Sequence, residues 1–192
     1  MKKLVVIDAC NREGESRTWR IASPVVEKLC TRYEVSEYHL PRMKMEPVDA
    51  ELHQLRHSGN APQWAVDAAR DVASADRILI AAPFWDMSFP AILKTFIEHL
   101  SLFNVTFADN GAECYGLCRC EKVLYITTRG MNIPMGDPRE QATPYFKALS
   151  TLWGLGELQV IDAFNMDYRT PESVEAEIQR CISEGMKLAE TF

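Results

Sequence analysis

Apolar positions along the chain follow two alternating rhythms. Leu4-Val5-Val6-Ile7 is a continuous run rich in β-branched residues, the pattern of a buried strand. A polar stretch from Cys10 to Thr18 follows. Ile21, Val25, Val26 and Leu29 then recur at helical spacing and predict a helix over 18–31. Glu34–Leu40, with Val35 and Tyr38 among polar neighbours, fits a second strand. Residues 41–62 contain Pro41, Pro47, Gly59 and Pro62 and predict a long loop with room for one helical turn. Trp64–Ala75 is alanine-rich, with Val66, Ala69 and Val72 on one side, and predicts a helix. Arg77–Ala82 is the clearest buried strand and ends at Pro83. Pro90 suits the first turn of a helix that runs to Leu100. Residues 103–121 break the rhythm and hold Gly111, Gly116 and three cysteines. Beyond them the pattern predicts a strand at Val123–Thr127, a loop at 129–139 and a helix at Gln141–Trp153. A strand at Leu158–Ile161 and an amphipathic helix at Pro171–Ala189 complete it.

Strand and helix alternate five times. This calls for a doubly wound parallel sheet with helices on both faces, an α/β fold. Five strands suit the flavodoxin-like order 2-1-3-4-5. No internal repeat is visible, and residues 1–192 read as one domain. In an open parallel sheet, ligands lie outside the carboxyl ends of the strands, where the strand order reverses. That point falls between the first and third strands. The loops at 9–18, 83–88 and 128–139 converge there.

Each of these loops carries candidate chemistry. Ser16-Arg17-Thr18 opens a helix, where hydroxyls and free N–H groups receive a phosphate; the same residues also serve as ordinary caps. The loop lacks the glycine pattern of a Rossmann dinucleotide site. Pro83-Phe84-Trp85-Asp86-Met87 places two aromatics and a methionine at the mouth of the sheet, either against a planar ring or as a plug under the next helix. Thr128-Arg129-Gly130 lets backbone approach a ligand closely at Gly130, or simply turns the chain. A planar, phosphate-bearing cofactor such as FMN would use all three.

Composition narrows the picture. The chain has 47% hydrophobic and 25% charged residues, as ordinary globular proteins do, and a formal net charge of -6. An acidic chain repels a nucleic-acid backbone. The apolar start at Leu4–Ile7 is cut short by Asp8, and no other run approaches the ~18 residues of a membrane span. A cytoplasmic location is expected, with the six cysteines as free thiols.

At these residues the sequence resembles the FMN-dependent NADH-azoreductase and NAD(P)H quinone reductase family, over almost its whole length. Ser16-Arg17-Thr18 matches the family's serine-rich helix opening. Ala82-Pro83-Phe84-Trp85-Asp86-Met87 matches its Ala-Pro-Met-Tyr-Asn-Phe-like stretch, and Ile92-Leu93-Lys94 and Val105-Thr106-Phe107 also fit. Thr128-Arg129-Gly130-Met131 matches a Ser-Arg-Gly-Gly-like turn, and Thr143-Pro144-Tyr145 follows. The resemblance implies an FMN-bound homodimer that takes electrons from NADH or NADPH. It passes them to a small-molecule acceptor, a quinone or azo compound, by a ping-pong mechanism without a catalytic side chain. Ser16 and Thr18 would hold the FMN phosphate with the Arg17 N–H. Pro83 and residues 84–87 would lie along the isoalloxazine, and Thr128, Arg129 and Gly130 would meet its far edge. The sequence departs from the family at Asp86, commonly Asn; at Met131, in place of glycine; and at Cys10, where a small hydroxyl residue is usual.

Cys114, Cys118 and Cys120 invite an iron–sulfur reading, but no Cys-x-x-Cys pair or nearby fourth ligand accompanies them. The plainer expectation is a thiol-bearing loop covering the flavin, with Tyr115 touching substrate, and no metal. His39, His53, His57 and His99 are read as having no ligand spacing. A flavin-binding electron carrier and an iron–sulfur flavoprotein are the alternatives to an enzyme.

Overall fold

The computed structural model describes residues 1–12 and 14–192. Its main sheet has five parallel strands in the order β2-β1-β3-β6-β7. These are β1 (Lys3–Asp8), β2 (Glu34–His39), β3 (Arg77–Ala81), β6 (Lys122–Thr128) and β7 (Glu157–Ala163). With the small hairpin of β4 (Phe107–Asp109) and β5 (Cys114–Gly116) set aside, this is the expected 2-1-3-4-5 order. All five residues of β3 are buried, as a central strand covered on both faces requires.

Helices divide between the two faces. α1 (Arg17–Cys30) and α6 (Pro171–Thr191) cover one, packing Ile21, Val25, Leu29, Ile178 and Ala189 against Leu4, Val6, Leu79 and Leu124. Gly185 of α6 allows this approach, since a Cβ there would come within 2.5 Å of the Val25 side chain. α3 (Gln63–Ser74), α4 (Ala91–Leu100) and α5 (Ala142–Trp153) cover the other face, where Phe96, Phe146 and Trp153 fill the space over Ile78, Ile80 and Tyr125. Local caps mark the ends of two of these helices. Ser16 caps α1 by accepting the Trp19 N–H, and Pro24 sits inside the helix without ending it. Glu140 caps α5 through the Ala142 and Thr143 N–H groups, and Gly154 closes it in the left-handed region at φ 75°.

Two expectations are corrected. Residues 41–62 hold more helix than the single turn expected: a 3₁₀ turn spans Leu40–Arg42, and α2 spans Ala50–His57, with loop on either side of α2. α2 buries none of its residues, so it has no apolar stripe to reveal it; its visible signal is the N-cap Asp49, which accepts the Leu52 N–H. As a helix it places His53 and His57 one turn apart, a spacing that a loop does not fix. Residues 103–121 fold back as the β4–β5 hairpin, pinned at the amino ends of the sheet strands. There the Cys118 N–H reaches the Trp153 carbonyl, and the Glu121 N–H reaches that of Asp76.

Candidate active site

The carboxyl ends of β1, β3, β6 and β7 meet at one rim. The Ala82 and Phe84 N–H groups bond to the Ile126 and Thr128 carbonyls, and the Arg129 N–H bonds to that of Ala163. A cleft of about 280 Å³ opens here. Ser16, Arg17, Thr18, Pro83, Phe84, Trp85, Thr128 and Gly130 line it, so the structure brings together eight of the residues expected from sequence. Asn11 and Trp85 also border a second cleft of about 570 Å³, which adds Asp86, Phe89, Lys94 and Tyr145. Across β1 lies a cavity of about 460 Å³ containing Asp8, Trp19 and Tyr38, where His39 Nδ1 is 2.5 Å from Asp8.

The first wall is the amino end of α1. The Ser16 hydroxyl accepts from Trp19, which leaves its own proton to donate. The N–H groups of Arg17 and Thr18 have no acceptor among the described residues and stand at the positive end of the helix. This is an anion site built from backbone. The Thr18 side chain departs from the expected role: it is fully buried, with Oγ1 2.7 Å from Thr128 Oγ1. It ties the first loop to the third, and its N–H is the part left for a ligand.

The second wall turns sharply. Trp85 and Ser88 exchange two backbone hydrogen bonds of 2.9 Å. Asp86 and Met87 between them have φ of 47° and 69°, as both central residues of a type I′ turn must. An Asp accepts this backbone readily, whereas a Met does so only under strain. The N–H groups of both residues have no acceptor among the described residues, while the Met87 carbonyl accepts the Gln141 N–H. The turn therefore offers two fixed donors beside the exposed Trp85 ring, suited to the polar edge of a planar ligand. Met87 itself lines neither cleft.

The third wall corrects the role expected for Arg129. Its side chain is 1% exposed and points under the rim, paired with Asp162 and 4.0 Å from Glu140. Its guanidinium stacks beneath the Phe84 ring at 5.4 Å. Burial lowers its pKa, opposed by Glu140, yet an arginine keeps its charge. Its backbone is engaged too, since its carbonyl accepts the Met166 N–H. Arg129 supports the cleft floor and does not face a ligand. Gly130 is needed for space: a Cβ there would meet the Asp167 carboxylate at 1.9 Å.

A fourth loop, between β7 and α6, was missed from sequence. It supplies Asp167, which pairs with Arg17 at 2.7 Å, and Asn165 at φ 62°. This loop also leaves the carboxyl end of a strand, so the rule that selected the other three would have included it.

Tyr115 is not brought to this rim. It lies on the hairpin at the opposite end of the sheet, where Gly116 packs against the Trp153–Gly154 backbone. In this chain the thiol-bearing segment does not cover the cleft. Its sulfurs point to separate acceptors: Cys114 to Asp109, Cys118 to the Thr106 carbonyl and Cys120 to that of Lys122. Burial pushes the Cys118 and Cys120 thiols up to about 12, which disfavours the thiolates a cluster needs. Among the described residues no group of three or more His, Cys, Asp or Glu is placed to hold a metal ion. Cys10 is buried and donates toward the Ala81 carbonyl, so it serves packing and not anion binding.

A doubly wound sheet with a helix N-terminus and an aromatic-walled cleft at its strand reversal defines a class, the α/β proteins built to cradle a planar ligand bearing a phosphate. A family model described as the flavodoxin-like fold matches residues 2–187, and the chain belongs to that family. Among its relatives is an FMN-dependent NADH:quinone oxidoreductase of Clostridium perfringens, 27% identical over 100% of both chains. The FMN-dependent NADH:quinone oxidoreductase 2 of Clostridium acetobutylicum is also 27% identical over 100% of both. Among solved structures, an azoreductase from Bacillus anthracis superposes with a TM-score of 0.87 at 18% identity, covering 100% of both chains. An FMN-dependent NADH-azoreductase of the same species, in complex with FMN, superposes at 0.78 with 16% identity, over 98% of this chain and 100% of that one.

Proposed function

We propose that this chain is an FMN-dependent oxidoreductase that passes electrons from NADH to a quinone or azo compound. The observation that carries the reading is the pairing of free backbone donors at Arg17 and Thr18 with those at Asp86 and Met87, on either side of Trp85. The first pair, with the Ser16 hydroxyl, holds the phosphate; the second meets the polar edge of the ring system. FMN held there would supply the redox chemistry, hydride acceptance from NADH and two-electron delivery to the acceptor. The chain's residues bind and orient. Phe84, braced by Arg129, forms the floor with Pro83, Thr128 and Gly130. The larger cleft beyond Trp85 admits nicotinamide and acceptor in turn, a ping-pong order, and NADPH is the other candidate donor.

A homodimer completes the reading. Trp85, Met87, Met131 and Met135 are 37–45% exposed at and near the rim, and Phe103, Tyr115 and Leu117 form a second apolar group at the opposite end. Free cysteines at all six positions suit a reducing compartment, and the cytoplasm is the proposed location. No helix among the described residues is long and apolar enough to cross a membrane.

The test is the visible spectrum of the purified chain after reconstitution with FMN and desalting, followed by anaerobic NADH and then a quinone. The expected result is a retained flavin band that bleaches with NADH and returns with quinone. A retained band that neither NADH nor NADPH bleaches would mark an electron carrier. No retained band would overturn the cradle.

A further inference from the structure

His53 and His57 stand on the outer face of α2, four residues apart and one turn above each other. Both are exposed, their ring centroids are 4.5 Å apart, and their Nε2 atoms are 3.3 Å apart. Two imidazole nitrogens bound to one ion at the usual metal–nitrogen length, with a tetrahedral angle between them, are separated by about 3.3–3.4 Å. The helix thus already holds both nitrogens at the separation a chelated ion requires. Without an ion, the same approach accommodates only one hydrogen bond, from a protonated ring nitrogen to an unprotonated one.

We propose that His53 and His57 form a surface clamp for a divalent transition-metal ion that takes imidazole in tetrahedral geometry, of the zinc type. The two rings supply two ligands. Among the described residues no group of three His, Cys, Asp or Glu completes a protein cage, so water or an exchangeable ligand takes the remaining positions. The clamp is separate from the cofactor cleft. Arg56, on the same helix, bonds to the Ser101 carbonyl at the far end of α4, whose first residues border the rim. Metal binding also matters to the helix itself. α2 buries no residue, and an ion bridging its last two turns ties the helical conformation together.

The probe is Zn²⁺, titrated calorimetrically into the full chain carrying Cys30→Ser and Cys114→Ser, which removes the exposed thiols as rival ligands. One ion per chain is expected. His53→Ala or His57→Ala alone should weaken binding by roughly tenfold or more. The double variant His57→Gln/Ser58→His keeps two histidines but moves them to a five-residue spacing, and it should weaken binding equally. All of these positions are exposed, and circular dichroism verifies that each variant folds as the parent does. No binding by the parent, or unchanged affinity in either single variant or in the shifted pair, would overturn the clamp.

Discussion

Arg129 is a full charge withdrawn from water beneath the candidate cleft, where it joins three elements of the rim. It touches Asp162 from β7, Glu140 from the α5 cap and the Phe84 ring from the second loop. Removing the cation strands two buried carboxylates. Arg129→Met should cost about 3–5 kcal/mol in urea unfolding, while Arg129→Lys, which keeps the charge but loses the planar fork, should cost less. Ser16 acts differently. Ser16→Ala should lower stability by about 1 kcal/mol through loss of the cap and also weaken FMN binding, measured by fluorescence titration. FMN affinity equal to that of the parent would remove the hydroxyl from the phosphate site. The hydroxyl–arginine–hydroxyl cluster was legible in sequence as a helix opening with ligand potential. The inward turn of Thr18 and Arg129 was not, because Thr128, Glu140 and Asp162 are their partners only in the folded chain.

At the scale of elements, the close approaches are made by glycines. Gly116 presses its backbone on Gly154, and a Cβ there would come within 1.9 Å of the Gly154 nitrogen. Backbone on both sides leaves nothing to move aside. Gly116→Ala should therefore cost about 1–3 kcal/mol and raise hydrogen exchange across β4 and β5. Gly130→Ala meets a single side chain, Asp167, which can swing away at the loss of its pair with Arg17. Its global stability should stay close to the parent's, and its effect should appear as weaker FMN binding. β1, β3 and β6 were legible because burial on both faces imposes apolar runs, and the flanking helices because one buried face imposes an apolar stripe at helical spacing. The hairpin was not, since its strands are three residues each, and α2 was not, since it buries nothing.

Across the whole molecule, stability is bounded on both sides of neutral pH. Burial pushes Cys118 and Cys120 up to about 12 and Cys181 to about 11, against ~8.5 for a thiol in an unfolded chain. The folded state holds these protons longer. Their contribution is therefore intact below the unfolded value and declines as pH rises through the folded ones. The urea midpoint should fall between pH ~8.5 and ~11, and the fall should be shallower in Cys118→Ala/Cys120→Ala. On the acid side, hydrogen bonds from Arg139 and Arg180 hold Asp137 and Glu177 low, Asp137 at about 2. Their contribution is present above the ordinary carboxylate range and lost as pH falls through it. That limb should be gentle, because surface pairs are weak.

The packing of α1 against α6 also has a temporal side. α1 leaves the ribosome long before α6, so the apolar stripe of Ile21, Val25 and Leu29 meets Leu4 and Val6 of β1 early but waits for Ile178 and Ala189 until residues 171–191 emerge. Until then the nascent chain carries a helix seated on one side and bare on the other, an apolar surface open to non-native contacts during synthesis.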